Sequence, residues 1–249
     1  MNYTIAETYT LPSLGKIYDE KINPEVKIRS MTTQEEMKRL AKSDRPYKNM
    51  SEVIDDCLVE SPGISSYDMC VGDYQFLLHK LRVVTYGPEY HLGSLCPYCG
   101  AINEGVINLD DLAVIQYTED LEKYREFDLP VTGKHIKLRI QTPRVMDNIT
   151  VQARDRKKKS STQGDFTYIV TLQNLIEEID GKRYDLIALE DFVSKLNMRD
   201  ANTILQYSAK LTDGIGIDTS LVTECEECGK EYPNSFRFTS EFFGPRVDI

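Results

Sequence analysis

The chain has 249 residues, 41% hydrophobic and 28% charged, and its 30 basic against 40 acidic side chains leave a net charge of −10. Such a balance can build a packed core, and the length allows one large domain or two small ones. The acidic excess argues against nucleic-acid binding, whose footprint is basic, and no stretch approaches the ~18 consecutive apolar residues of a membrane helix.

The opening MNYTIAETYT has neither a basic start nor an apolar run, so no secretion signal is expected. Residues 3–10 alternate loosely and predict an extended segment, punctuated by Pro12 and Gly15. Residues 25–29, EVKIR, alternate apolar and charged side chains as a half-buried strand does. Thr33 and Glu36 then stand at capping-box spacing and predict a helix reaching Ser43. Pro46 is expected to break it, and Ser51 to cap a second helix with Val53, Ile54, Cys57 and Leu58 on one face. Asp73 is expected to cap a third helix that runs to Tyr86 and stops at Gly87-Pro88. Residues 1–92 thus predict a mixed α+β unit.

Short strands are predicted on both sides of Cys96, the second over residues 102–109, and residues 110–117 hold one more short element. FDLPV and HIKLRI, on either side of Thr132-Gly133-Lys134, have a hairpin signature. Thr142-Pro143 opens a helix toward Lys159, with proline at a tolerated first-turn position. That helix ends in Arg154, Arg156, Lys157, Lys158 and Lys159 with no aromatic residue interleaved. The run reads as a solvated helix end leading into a mobile loop of Ser160, Ser161, Thr162, Gln163 and Gly164, not as a nucleic-acid patch. Residues 166–179 predict another helix, turned by Asp180-Gly181. Residues 188–196 and 199–211 predict two more, joined near Asn197, and strands return from residue 219.

Four of the six cysteines form two matched units, Cys96-Pro97-Tyr98-Cys99-Gly100 and Cys225-Glu226-Glu227-Cys228-Gly229. A C-x-x-C turn presents two thiolates to one metal, and zinc takes four such ligands in a tetrahedron. The trailing glycine permits the positive backbone angles of a tight turn whose amides point back at the sulfurs. One such unit is a weak signal. Two, each flanked by strand-like sequence, predict a two-knuckle zinc ribbon with Cys96, Cys99, Cys225 and Cys228 holding one structural Zn2+. Three other readings stand beside it, of which a chance spacing of buried cysteines is disfavoured by two matched, glycine-followed pairs. Cys-Pro-Tyr-Cys is also the active-site tetrapeptide of glutaredoxin-like proteins, where it opens a helix that lowers the thiol pKa. Disulfide bonding is disfavoured without a secretion signal. Cys57 and Cys70 read as buried small hydrophobes.

No serine, cysteine and histidine arrangement stands out as a nucleophile with its base, and there is neither a G-x-G-x-x-G nor a Walker loop. His79, His91 and His135 are far apart and read as surface or partly buried side chains. Acidic pairs such as Asp110-Asp111 and Glu177-Glu178 are adjacent residues that point different ways. No catalytic site is expected.

Several separated motifs together resemble a known family. They are Leu11-Pro12-Ser13-x-Gly15-Lys16-x-Tyr18, the strand EVKIR followed by Met31-Thr32-Thr33-x-Glu35-Glu36, and Val71-Gly72-Asp73 leading to Leu81-Arg82 and Tyr86-Gly87-x-Glu89-Tyr90. The two cysteine units and the closing Phe242-Phe243-x-Pro245 complete the series. In this order they resemble the baseplate hub proteins of contractile-tailed, T-even type bacteriophages. The resemblance spans most of residues 11–110 and the last thirty. It implies a non-enzymatic virion component, made in the host bacterial cytoplasm, whose partners are other phage baseplate or tail proteins.

The expected architecture is α+β. Residues 1–92 form the N-terminal unit, residues 93–108 and 217–249 the zinc ribbon with its tail, and residues 109–216 an inserted α+β region. A structural subunit of the baseplate hub leads the functional readings. A tail or baseplate assembly chaperone that leaves the particle, a zinc-ribbon nucleic-acid adaptor and a thiol oxidoreductase are the alternatives. No small-molecule substrate or membrane is expected among the partners. Large apolar side chains near both ends, Leu11, Leu14, Ile17 and Tyr18, then Phe236, Phe238, Phe242, Phe243 and Pro245, either pack on their own domain or meet a neighbour.

Overall fold

Alternation of apolar and charged side chains builds the first sheet. Val26 and Ile28 point into the core from β2 (Glu25–Arg29), which pairs antiparallel with β1 (Ala6–Thr10). The structure, a computed structural model, describes residues 4–159, 164–235 and 240–243. It is α+β, with eight α-helices and several small antiparallel sheets among those residues.

Helix α1 (Thr33–Arg39) starts one residue earlier than its sequence predicts and stops short of Ser43. Thr32 and Glu35 form the capping box: the Thr32 amide donates to Glu35 Oε2 at 2.7 Å, and Thr32 Oγ1 accepts from the Gln34 amide. Thr-Thr and Glu-Glu doublets make both registers possible in sequence. Arg29 decides between them by donating to Glu35 Oε1 at 2.9 Å, which leaves Glu36 to pair with Arg39.

Pro46 does not merely break a helix; it is the first residue of α2 (Pro46–Cys57), where its missing N–H costs nothing. Ser51 therefore lies buried inside this helix instead of capping it. The cap comes from elsewhere: the Asp147 carboxylate accepts from the Lys48 amide at 2.9 Å and the Tyr47 amide at 3.4 Å. Val53, Ile54 and Cys57 form the buried face, as their spacing predicts. Helix α3 (Val71–Tyr86) likewise begins before Asp73, which is buried in its first turn and accepts from the Ser13 amide, the Ser13 hydroxyl and the Tyr18 hydroxyl. Gly87, at φ 89°, ends the helix.

Two hairpins follow the same plan: β3 (Glu89–Leu95) with β4 (Ile102–Asn108), and, far along the chain, β10 (Ser220–Glu224) with β11 (Glu231–Ser235). Between them, β5 (Val114–Ile115) pairs with β9 (Gly216–Ile217). After the short α4 (Glu122–Arg125), β6 (Glu126–Asp128) and β7 (His135–Leu138) form the expected hairpin. A third strand, β8 (Ile176–Ile179), joins β7 where the sequence predicts continued helix. Helix α6 (Thr167–Leu175) stops because Ile176 and Ile179 bury their side chains in the core beside β7, a tertiary gain that outweighs local preference. The remaining helices are α5 (Pro143–Lys159), α7 (Leu186–Lys195) and α8 (Met198–Asp213), the last capped by Asn197.

One core joins β1, β2, α2 and α3 to Leu109, Phe242 and Phe243. A second is built wholly from residues between Phe127 and Ile204. A smaller cluster brings Ile17 and Cys70 against Leu121, Leu211 and Ile215. Leu11, Ile17, Phe242 and Phe243 are thus core residues, not free surface. Tyr3, Phe236, Phe238, Pro245 and the loop at Ser160, Ser161, Thr162 and Gln163 lie outside the described residues. Within the basic run, Arg154 pairs with Asp44 and Arg156 with Glu190.

Candidate metal centre

Each cysteine unit sits at the tip of its hairpin because the ladder ends where it begins. Leu95 pairs with Ile102, and Glu224 with Glu231, so residues 96–101 and 225–230 must turn. The turns match bond for bond. The Cys96 amide donates to Ala101 O at 2.8 Å and the Gly100 amide to Cys96 O at 3.0 Å. The Cys225 amide donates to Lys230 O at 3.0 Å and the Gly229 amide to Cys225 O at 2.8 Å. Gly100 and Gly229 adopt φ of 76° and 67°, the left-handed conformation that favours glycine.

The tips face each other. Cys96 Sγ lies 3.8 Å from Cys228 Sγ and Cys99 Sγ lies 3.6 Å from Cys225 Sγ, and all four sulfurs fall within 4.8 Å of one another. A tetrahedron with sulfur–metal bonds of about 2.3 Å has edges of about 3.8 Å, so the four thiols have the spacing that a four-coordinate metal requires. Among the described residues no other group of three or more His, Cys, Asp or Glu side chains converges in this way. Cys96 and Cys225 are buried, while Cys99 and Cys228 border the solvent. Tyr232 and Ala101 pack beside the inner pair in a small hydrophobic cluster of their own.

Electrostatics at the cluster favour a cation. The Cys228 amide, helped by the Glu227 amide, Cys99 and Asn103, draws the Cys225 thiol down to about 6 against the opposing effect of burial. The Ala101 amide acts the same way on Cys99, but burial and the neighbouring sulfurs of Cys225, Cys96 and Cys228 outweigh it and push that thiol up to about 12. Four sulfurs packed this closely cannot all become thiolates unless a positive charge sits among them. A metal that does so releases protons as it binds.

The remaining candidates separate from this centre. Cys57 and Cys70 are buried, and burial pushes both thiols up to about 12. His79 is fully buried, with Nε2 2.9 Å from Leu109 O, and burial lowers its pKa to about 4. His135 lies on the surface beside Asp128, and His91 is an exposed residue of β3. The Cys-Pro-Tyr-Cys tetrapeptide turns between two strands, so the helix N-terminus that activates a glutaredoxin-like thiol is missing from this place. Asn103 and Tyr232, which touch the cluster, carry no sequence signal that would single them out. A groove of about 1210 Å³, lined by Leu40, Tyr47, Met50, Tyr74, Leu78 and Ile217 among others, lies apart from the cysteines.

No match was found among curated proteins or among solved structures. No helix among the described residues is long and apolar enough to cross a membrane. A family model does match, over residues 2–244, nearly the whole chain. By that match the chain belongs to the family described as T4 bacteriophage base plate protein.

Proposed function

We propose that this chain is a structural subunit of a phage baseplate hub, stabilised by one structural zinc held by Cys96, Cys99, Cys225 and Cys228. The family match over residues 2–244 is the observation that carries the baseplate role. Convergence of the four sulfurs supports the metal. Soft thiolate ligands in a tetrahedral set select zinc over harder cations such as magnesium or calcium. Bound there, zinc supplies cross-linking and charge neutralisation. Four protein ligands leave no open position for a substrate or a water, and with no other catalytic group proposed the subunit acts as a scaffold, not as an enzyme.

In this reading the two hairpins are the halves of one zinc ribbon, made by residues 93–108 and 217–249. The N-terminal unit covers residues 1–92, and residues 109–216 hang between the halves as an insertion with a core of its own. Closing so long a loop costs only a logarithmic entropy increment, which a structural zinc offsets readily. Partners are other baseplate or tail proteins, and the working location is the virion.

A mass-spectrometric inventory of purified phage particles, with elemental analysis of the purified chain, tests both halves of the proposal. The expected result is the chain among the virion proteins and about one zinc per chain. Its absence from particles that need it for assembly would replace the subunit with an assembly chaperone. Zinc-free protein prepared without chelators would remove the metal.

A further inference from the structure

Asn103 stands on β4, opposite Ser94 of β3, and is 5% exposed. It belongs to the first hairpin, yet its strongest side-chain contacts are with the second. Asn103 Oδ1 accepts from the Glu226 amide at 3.0 Å, inside the second C-x-x-C turn. Its Nδ2 donates to the Tyr232 hydroxyl on β11 at 3.1 Å and approaches Cys225 Sγ at 3.6 Å. The Tyr232 hydroxyl also lies 2.7 Å from Ser94 Oγ, so one buried phenol closes over the Ser94–Asn103 pair.

Side-chain amide orientation is set by its partners. The Glu226 N–H can only donate, so it must meet the oxygen of Asn103, and the Nδ2 end is therefore turned toward the sulfur and the phenol. An aspartate could accept from the Glu226 amide and from the Tyr232 hydroxyl, but it has no N–H to offer the Cys225 sulfur and would set a negative charge beside it. Leucine or alanine could keep none of these contacts. The two hairpins thus have a hydrogen-bonded connection that uses none of the four cysteine sulfurs as a bridge.

We infer that Asn103 is the positioning residue of the cysteine cluster: it latches the two hairpins together without a metal and aims an N–H at the Cys225 sulfur. The latch holds the second turn at the height of the first, so the four sulfurs are in place before an ion arrives. The N–H···S contact, at 3.6 Å, then fixes where the Cys225 sulfur points. Outer contacts of this kind commonly hold about 10–100-fold in metal affinity. The second role rests on the metal reading above, whereas the first does not.

The experiment compares wild type, Asn103→Ala and Asn103→Asp. In the metal-free chains, hydrogen exchange of the Glu226 amide reports the latch. It should be protected in wild type and in Asn103→Asp, and exchange about tenfold faster or more in Asn103→Ala. Equal exchange in all three overturns the latch. The sulfur contact is read with cobalt(II) as the probe ion. Wild type should show sulfur-to-cobalt charge-transfer bands. Both variants should shift those bands and bind cobalt about 10–100-fold more weakly in chelator competition. Unchanged bands and affinity in both variants overturn the positioning role. A wild type that takes up neither cobalt nor zinc sinks the metal reading, and the exchange comparison then still decides the latch. If Asn103→Ala fails to fold, Asn103→Asp supplies the cobalt comparison and Asn103→Leu, which fills the same space but accepts nothing from the Glu226 amide, the exchange one.

Discussion

Gly72 and Gly216 lie backbone against backbone, joining the first turn of α3 to β9. A β-carbon on Gly72 would stand 2.3 Å from the carbonyl oxygen of Ile215, and one on Gly216 would stand 3.1 Å from the α-carbon of Gly72. Gly216 also sits at φ 125°, a conformation that L side chains rarely adopt. This contact brings the last strand before the second hairpin against the N-terminal core.

Gly72→Ala should therefore destabilise the fold even though alanine is the better helix former. Helix preference favours alanine by about 0.5–1 kcal/mol. Forcing a methyl group into unyielding backbone costs about 1–3 kcal/mol or more, so the clash wins. Urea unfolding should show a lower midpoint with an unchanged slope. A midpoint at or above that of wild type would mean that the two segments can part without penalty.

Wherever one residue type does one job locally, the fold is legible in the sequence. EVKIR reads as a strand because its period is two, and the glycine after each C-x-x-C unit reads as a turn because few other residues tolerate that φ. Legibility fails where a distant partner decides. Pro46 reads as a breaker until Asp147, a hundred residues on, is seen to cap the helix that it starts. Residues 176–179 read as helix until β7 takes them as a strand. Asn103 is silent because an asparagine on a strand has many uses, and only the fold shows that it faces Cys225.

Removing the metal should affect the two hairpins more than the rest. Cys99→Ser should lose most bound zinc, whereas Cys57→Ser and Cys70→Ser should keep about one equivalent per folded chain, since both thiols belong to other hydrophobic clusters. Atomic absorption on gel-filtered protein reads the result directly. Metal lost from folded Cys57→Ser or Cys70→Ser would show that the ligand set was misassigned.

Acid should release a specific tie between β2 and α1. Glu35 receives hydrogen bonds from Arg29, which draw its carboxyl from 4.5 to about 2 against the opposing effect of burial, with help from Thr32. A depressed carboxyl stabilises the folded chain fully above its ordinary value, and that contribution disappears as pH falls toward 2. The stability difference between wild type and Glu35→Gln should therefore be constant above pH 4.5 and shrink between pH 4.5 and about 2. Denaturant unfolding at a series of pH values measures it. A difference that stays level throughout would show that the ion pair contributes nothing.

At the far end of the chain, Phe242 and Phe243 could have been a docking surface, in which case Phe243→Ala would weaken partner binding by about 2 kcal/mol or more. Their burial, at 0% and 3% exposure, assigns them to the core. Arg82 fixes the segment: Nε donates to Phe242 O at 3.1 Å, Nη1 to Gly87 O at 2.6 Å and Nη2 to Glu89 O at 3.0 Å. One guanidinium thus holds the 3₁₀ turn Ser240–Phe243, the end of α3 and the start of β3 together. Phe242→Ala should cost about 3–5 kcal/mol, the usual penalty for emptying a buried aromatic site. Arg82→Lys should cost about 1–3 kcal/mol, because one ammonium cannot reach three carbonyls spread this widely and at least one loses its charged partner. Both losses should appear as lower thermal midpoints of the isolated chain, before any partner is added. If either variant keeps the wild-type midpoint yet drops out of phage particles, the segment is an interface after all and its packing in the core is dispensable.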